Sequence, residues 1–238
     1  MGDAGRMAAL ALAVWGAAVT PALAQDSERN RYYVQQMIEL AASHDEQGVI
    51  AMQRMLEQEP RPTATDPAAA AAALQRGQAA FRQEDLNAAL SAFQQASRSD
   101  PGNPDAVNYQ GLIYRKLGRL TDSERALQLA LALDPDRAVA WFQLAQVYGL
   151  EKDDRRALGS LANTYRYAQN PMRAEEILRN IAENETADSL RNAAVAALRL
   201  YRLPVEPAIV PPLPSNPGIV PMDAPSEPAR APRPAPTP

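Results

Sequence analysis

Small residues recur every 34 positions through the middle of this chain: Gly77, Gly111 and Ala145. Two other series keep the same spacing: Ala96 and Ala130, and Pro101 and Pro135. A fixed period of this length is typical of stacked helical hairpins. Because one hairpin alone cannot bury its apolar stripe, about three copies must stack before such an array is stable. The sequence therefore predicts an all-α solenoid of three hairpins.

The residues between these positions also follow one pattern. The third copy carries the fullest set: Trp141, Leu144, Ala145, Tyr148, Ala157 and Leu161. The first two copies carry parts of it: Gly77, Ala89, Phe93 and Ala96, then Gly111, Tyr114, Leu127 and Ala130. This pattern resembles the tetratricopeptide repeat. The resemblance implies a right-handed superhelix in which the small residues admit close helix contacts while large neighbours fill the space beside them.

Each copy also departs from the family pattern. Ala73 and Val107 stand where the tryptophan is expected, and Arg76 and Gln110 stand where the leucine is expected. Ser123 replaces a packing alanine, and the closing proline of the third copy, Pro171, comes two residues late. These departures affect the boundaries of single repeats and leave the predicted fold unchanged.

In this family the first helix of each repeat lines a concave face, where partners insert a peptide or a helix. The resemblance places these side chains on that face: Gln78, Phe81, Asn108, Leu112, Arg115, Phe142 and Gln146. The two phenylalanines predict an apolar anchor for the partner, and Arg115 favours an acidic group. The alternative is an ordinary helical surface whose amides and cations only keep it soluble.

One subclass of the family grips a C-terminal carboxylate with lysine, asparagine and arginine at set positions of this face. The corresponding residues here are Leu74, Gln78, Tyr109, Val139 and Gln143. None of them is a cation. We therefore expect no recognition of a chaperone C-terminal tail.

The first 24 residues predict a signal peptide. A single arginine, Arg6, precedes an apolar run from Met7 to Val19, and Ala22-Leu23-Ala24 fits a cleavage site. A membrane anchor is the alternative, but a spanning helix needs roughly 20 apolar residues. The chain has no cysteine, so neither a lipidated cysteine nor a disulfide is available. We expect a soluble periplasmic protein, with secretion as the second choice.

The boundaries of the remaining segments are predicted from residues that typically start or end helices. Residues 25–59 predict a helical hairpin, a degenerate repeat or cap, with helices at 27–43 and 46–58 and Asp45 between them. Residues 60–66 predict a linker, since Pro60 and Pro62 disfavour a helix. Three repeats follow at 67–171, and two capping helices at 172–203. Further helix starts are marked by Asp66, Asn103, Asp136, Asp153 or Asp154, Asn170 and a capping box at 121–124.

Residues 204–238 predict a disordered, proline-rich tail, because they hold 13 of the 21 prolines. Two identical apolar islands lie in it ten residues apart, Ile209-Val210-Pro211 and Ile219-Val220-Pro221. They are either docking motifs or parts of a spacer, and the tail either extends freely or folds back into the groove.

Nothing in the sequence points to catalysis, a cofactor or a metal. His44 is the only histidine and no cysteine accompanies it, so neither a typical transition-metal shell nor a histidine-activated nucleophile can be assembled. The carboxylate pairs Asp153-Asp154 and Glu175-Glu176 fit helix capping and a solvated face better than the two facing acids of a glycosidase. We expect a protein that is not an enzyme.

The formal net charge of −4 argues against nucleic-acid binding, which favours a basic face, and against attraction to anionic lipids. Together these features predict a periplasmic scaffold that binds cell-envelope proteins through its groove. Two alternatives remain: an accessory assembly factor of an outer-membrane secretion, pilus or polysaccharide-export machine, and a self-assembling structural protein.

Overall fold

The computed structural model describes residues 21–205, and all regular secondary structure in that range is helical. The ten helices are α1 Pro21–Ala42, α2 Glu46–Glu57, α3 Pro67–Arg82, α4 Leu86–Ser99, α5 Pro104–Lys116, α6 Leu120–Leu133, α7 Ala138–Leu150, α8 Asp154–Arg166, α9 Pro171–Asn184 and α10 Asp188–Leu200. The predicted all-α fold is thereby confirmed. None of these helices is both long and apolar enough to span a membrane.

The three predicted repeats form the hairpins α3–α4, α5–α6 and α7–α8. The glycines of the 34-residue period lie at their closest helix contacts. A Cβ atom on Gly77 would lie 2.7 Å from the Phe93 ring, and one on Gly111 would lie 2.6 Å from Cγ of Leu127. In the third hairpin Trp141 and Tyr148 are fully buried, so the large side chains fill the space that the small ones leave.

The stack is curved, because its two sides are packed differently. The first helices α5 and α7 contact each other directly, whereas no comparable contact joins α4 to α6 or α6 to α8 in the described part of the chain. The second helices are therefore splayed. We call the side formed by α3, α5 and α7 the inner face and the side formed by α4, α6 and α8 the outer face.

The N-terminal hairpin packs on the outer face, where α1 contacts both α6 and α8. Asn163 Nδ2 of α8 donates a hydrogen bond to the Met37 carbonyl of α1 (3.2 Å). Gly159 lets the two helices approach so closely that a Cβ there would lie 2.0 Å from the Ile38 carbonyl oxygen. The hairpin was expected as a degenerate repeat or cap of the stack; it instead fills the wedge that the splayed second helices leave open.

Polar contacts hold the same hairpin along its length. Arg155 pairs with Glu39 (2.6 Å), Arg166 pairs with Glu46, and the Tyr167 hydroxyl donates to Gln53 Oε1 (2.9 Å). The linker that follows is fastened to the first repeat, since the amides of Thr65 and Asp66 both donate to the Ser99 carbonyl. The hairpin and the linker thus wrap the outer face.

At the other end, α10 packs on both helices of the third repeat, whereas α9 contacts α8 of that repeat, and less extensively. Leu190 of α10 lies against Gly149 of α7, where a Cβ would be 2.7 Å from the leucine Cβ. The Tyr201 hydroxyl donates to the Ala162 carbonyl of α8 (3.1 Å). Helix α9 contacts mainly α10. The last helix of the chain, α10, therefore lies between α9 and the third repeat and closes the stack.

Most helix starts carry the expected cap. Five predicted residues accept the amide three positions later: Asp45, Asp66, Asn103, Asp153 and Asn170. Asp85, which was not predicted, caps α4 in the same way. The predicted capping box at 121–124 is wrong, because α6 starts after Arg119 without a side-chain cap. Glu124 instead accepts hydrogen bonds from Tyr148 and Arg156. Asp136 is not a cap either, since α7 starts after Arg137.

The cap of α8 gives a pH-dependent prediction. Burial raises the pKa of Asp153, but the hydrogen bonds from the Arg156 amide and guanidinium outweigh it and hold that pKa below the ordinary 3.8. Since the folded pKa is depressed, the stabilisation is present above about pH 4 and is lost as the pH falls through the folded pKa. Asp153→Ala should therefore cost about 1–2 kcal/mol at pH 7 and less at pH 3, measured by urea unfolding.

The control for this prediction is Asn170→Ala, which removes a cap that cannot titrate. Its side chain accepts from the Arg173 amide at the start of α9 (3.1 Å). We expect a similar loss at pH 7 and the same loss at pH 3. Equal pH dependence in the two variants would contradict the assignment of the effect to the Asp153 carboxylate.

Two predicted segments lie wholly or mainly outside the described residues. These are the signal peptide, of which only residues 21–24 fall within the described range, and the proline-rich tail, of which only residues 204 and 205 do. Both Ile-Val-Pro islands of the tail are outside it.

Candidate functional site

The predicted groove residues all lie on the helices of the inner face, but they are not equally accessible. Asn108 and Leu112 of α5 are buried, with exposures of 6% and 3%. The other five are partly buried: Gln78, Phe81, Arg115, Phe142 and Gln146. The direct contact of α5 with α7 on this side accounts for the difference. Asn108 and Leu112 therefore form the floor of the face, and the remaining five form its accessible surface.

Aromatic rings cluster at the first-repeat end of this face. The Tyr109 ring stacks on the buried Phe93 ring, with centroids 4.5 Å apart, and meets the Phe81 ring edge-on at 5.9 Å. Lys116 Nζ lies 5.8 Å from the centre of the Phe81 ring. The arrangement offers an apolar surface beside a cation, which suits an apolar side chain followed by an acidic group.

Two buried amides on the inner-face helices lack partners within the described residues. Gln143 of α7 is 3% exposed and neither its Nε2 nor its Oε1 makes a hydrogen bond. Asn108 Oδ1 of α5 is likewise without a partner. A buried polar group left unsatisfied costs about 1–3 kcal/mol, so these amides favour water or a bound main chain as a partner. Sequence reasoning named Gln143 only as a residue that cannot act as a carboxylate clamp.

A cavity of about 870 Å³ lies on the outer face, between the N-terminal hairpin, the linker and the helices α5 and α6. Its wall on α5 includes Val107 and Gln110, the positions at which the second repeat lacks the tryptophan and the leucine. The third repeat shows the filled version, because Trp141 is fully buried and its Nε1 donates to the Pro135 carbonyl (2.8 Å). Sequence reasoning noted both departures and missed the cavity that they open.

The charges around this cavity do not balance. Three acids line it: Glu59 pairs with Arg29 (2.6 Å), Asp122 pairs with Arg119 (2.7 Å), and Glu57 accepts, within the described residues, only a hydrogen bond from Gln53, so Glu57 offsets one of the three arginines named next. Its arginines make no ion pair with any part of the chain that the structure describes: Arg31, Arg61 and Arg125. The cavity therefore has an excess of cationic side chains available to a ligand.

The residues considered for chemistry are engaged in structural contacts. Asp153 caps α8 and Asp154 accepts from the Ser189 hydroxyl. Glu175 pairs with Arg179 (2.5 Å) and Glu176 with Arg173 (2.9 Å).

The histidine and two of the tyrosines lie in defined surroundings. His44 lies 3.6 Å from Glu46 and against the Tyr201 ring, whose pKa burial raises to about 12. Burial and the Glu124 carboxylate raise the pKa of Tyr148 further still, which keeps it neutral. Residues 21–205 contain no group of three histidine, cysteine or acidic side chains that could hold a metal ion.

Residues 74–138 match a family model described as tetratricopeptide repeat. No curated protein matches the chain.

The solved structures similar to this chain include a transferase and MamA protein. A mutant O-GlcNAc transferase of Thermobaculum terrenum is 24% identical with a TM-score of 0.46; the match covers 59% of this chain and 28% of that one, so this chain spans just over a quarter of the transferase. Two structures of MamA protein are 20% identical with TM-scores of 0.45, covering 74% and 68% of this chain and 93% and 92% of theirs.

Proposed function

We propose that this chain, a protein of tetratricopeptide repeats, is an exported scaffold that binds proteins of the bacterial cell envelope through its inner face. Such repeats serve as protein–protein interaction modules, and the matched residues 74–138 include α5, the middle helix of that face. The proposal concerns which surface binds, what chemistry it recognises and where the protein works.

The aromatic cluster at Phe81 carries the proposal. Its ring is only partly buried and is held edge-on by Tyr109, which is itself stacked on Phe93. A ring fixed in this way loses little freedom when a partner side chain packs on it, which is the property of binding hot spots. Lys116, which lies beside the ring, and Arg115, the residue before it in α5, add positive charge. The favoured ligand is a peptide or helix with an apolar anchor and a nearby acid.

The unpartnered amides support the same mode of binding. Gln143 and Asn108 lie on the two helices of the inner face that contact each other, and both keep hydrogen-bonding capacity unused. The main chain of a bound segment offers both donors and acceptors. Because the unpaired atoms are buried, the two side chains must turn outward to meet a bound segment; in that position they would add directional contacts to the apolar anchor.

Export rests on the sequence of residues 1–24. A short cationic start, an apolar run and Ala22-Leu23-Ala24 are the parts of a cleaved signal. The absence of cysteine fits a chain that must keep a helical fold in an oxidising compartment without disulfides. We propose the periplasm as its location and a cell-envelope protein as its partner.

The test is crosslinking in cells followed by mass spectrometry, with the wild-type chain beside the variant Phe81→Ala, Arg115→Ala, Phe142→Ala. We expect the variant to lose at least nine-tenths of the links to one dominant envelope partner, since removing hot-spot side chains costs about 2 kcal/mol or more each. A matched control replaces three exposed side chains of the outer-face helix α4: Ser91→Ala, Gln95→Ala and Arg98→Ala.

Each other outcome contradicts the proposal in a different way. An unchanged partner in the inner-face variant would move binding to another surface. Loss of the partner in the α4 control alone would place it on the outer face. Links found only between copies of this chain would favour self-assembly, and a partner embedded in an export machine would favour the assembly-factor alternative.

A further inference from the structure

The outer-face cavity has the lining of a peptide site. Apolar side chains from three parts of the chain meet there, among them Leu56, Pro60, Pro101 and Leu133. Proline-rich and aliphatic walls suit an extended apolar segment, and polar groups at the rim fix its orientation. The three arginines without ion-pair partners, Arg31, Arg61 and Arg125, require that the segment also be acidic.

We propose that residues 219–227 of this same chain dock in the outer-face cavity. This goes beyond the envelope-binding function, because it concerns a different surface and needs no second protein. The segment reads Ile-Val-Pro-Met-Asp-Ala-Pro-Ser-Glu. It supplies apolar side chains at Ile219, Val220 and Met222, acids at Asp223 and Glu227, and no basic residue.

Charge distinguishes this segment from its twin ten residues earlier. The first island, Ile209-Val210-Pro211, is followed by Pro212, Leu213, Pro214, Ser215 and Asn216, without an acid. The second island is followed by two acids before the first arginine of the tail, Arg230. The first island has one nearby acid, Glu206, which precedes it, so the second island carries the larger negative charge beside its apolar side chains and matches the cavity better.

The chain is long enough to reach. The Tyr201 ring lies 5.5 Å from the His44 ring, just before the start of α2. Helix α2 then runs 12 residues, about 18 Å, to Glu57 in the cavity wall. Ile219 lies 14 positions after Val205, a distance that an extended proline-rich segment would span as about 43 Å. The tether thus exceeds the length of α2 more than twofold.

Covalent attachment makes a weak contact sufficient. A segment tethered by a short flexible linker has an effective concentration of the order of 1 mM. An intrinsic dissociation constant of about 100 μM would then keep the cavity roughly nine-tenths occupied. Docking on the outer face would leave the inner face open to a partner.

The experiment uses the absence of cysteine. In the whole chain, Ser226→Cys creates a single thiol for a nitroxide spin label, placed between the two acids of the segment. We expect the methyl NMR signals of the cavity residues Leu56, Leu129 and Leu133 to lose more than half of their intensity, and to lose more than the signals of Leu190 and Leu198 in α10, which lies at the other end of the stack. Reducing the nitroxide should restore every signal.

Two matched pairs of variants locate the contact. Ile219→Asp with Val220→Asp should restore the cavity signals, whereas Ile209→Asp with Val210→Asp should leave them broadened. Arg125→Glu should weaken the broadening, and Asp223→Arg combined with it should recover it. The tail substitutions change no residue of the ten described helices, so the packing of those helices is the same in every tail variant.

Four results would overturn the proposal. These are no broadening at the cavity, broadening of the inner-face signals instead, equal loss with either island changed, and broadening only between a spin-labelled copy and a separate isotope-labelled copy. The last result would mean that the segment binds a second molecule rather than its own.

Discussion

Gly159→Ala is expected to lower the free energy of unfolding by about 2 kcal/mol, the upper end of the overpacking cost less the gain in helix propensity, and to loosen the N-terminal hairpin. The new methyl group would lie 2.0 Å from the Ile38 carbonyl oxygen, a main-chain atom that cannot move without displacing α1. Overpacking of this kind costs about 1–3 kcal/mol or more, which outweighs the gain of about 1 kcal/mol in helix propensity. Urea unfolding measures the stability, and hydrogen exchange of the α1 amides measures the loosening.

Gly77→Ala is the matched control, because it makes the same change in another helix of the same solenoid. Its methyl group would meet the ring of Phe93 at 2.7 Å, and a side chain gives way more readily than the main chain. We expect a loss below about 1.5 kcal/mol and unchanged exchange in α1. If the two variants were equally destabilised with α1 protected in both, the close contact between α1 and α8 would be wrong.

Trp141→Ala is expected to have the largest effect of any single substitution proposed here, a loss of about 4 kcal/mol. The indole is fully buried in the main core cluster, which also contains residues of α1, α6, α8 and α10. Its removal leaves a cavity and deprives the Pro135 carbonyl of the 2.8 Å hydrogen bond. The measurement is urea unfolding monitored by circular dichroism, because this signal does not depend on the fluorescence of the Trp141 indole that the substitution removes.

Val107→Ala tests the same repeat position in the second repeat. Val107 is 4% exposed and lines the outer-face cavity, so the residue is already beside empty space. We expect a loss of about 1 kcal/mol, from the two carbon groups removed. A loss as large as that of Trp141→Ala would contradict the view that the second repeat is loosely packed at this position.

The repeats could be predicted from the sequence because the contacts that define them are local. Gly77 meets Phe93 and Gly111 meets Leu127 within one hairpin, so a 34-residue spacing carries both partners. The capping residues Asp45 and Asp66 were predictable for the same reason, since each accepts an amide three positions later. Because contacts within a hairpin recur in every repeat, they produce a periodic pattern of residues, and this pattern can be recognised in a single sequence.

The position of the N-terminal hairpin could not be predicted, because its partners are far away in the sequence. Met37 and Asn163 are separated by 126 residues, and the apolar stripe of α1 fits any apolar surface equally well. A weak signal was present in α8, where Gly159, Ser160 and Ala162 are all small and all buried. When a repeat helix carries small buried residues in addition to those of the 34-residue period, a further helix is expected to pack against it.

The candidate sites were predictable to different degrees. The inner-face positions followed from the repeat register, but the burial of Asn108 and Leu112 depends on how closely α5 approaches α7, which the register does not determine. The outer-face cavity depends on three separate segments meeting around Val107. The sign of the cavity in the sequence is the valine that replaces the tryptophan of the repeat. That replacement does not indicate whether a neighbouring segment fills the space or leaves it open.

The contact of α1 with α8 also sets an order in time. Most repeat arrays are dominated by short-range contacts and can fold as they are made. Here the partner of Glu39 is Arg155, which lies 116 residues later in the chain. At typical translation speeds, synthesis of those residues takes about 6–23 s. Throughout that interval the stripe of Val34, Met37 and Ile38 has no α8 to cover it. The first helices of the chain are therefore completed only once α8 is available, and until then their apolar stripe needs protection from aggregation.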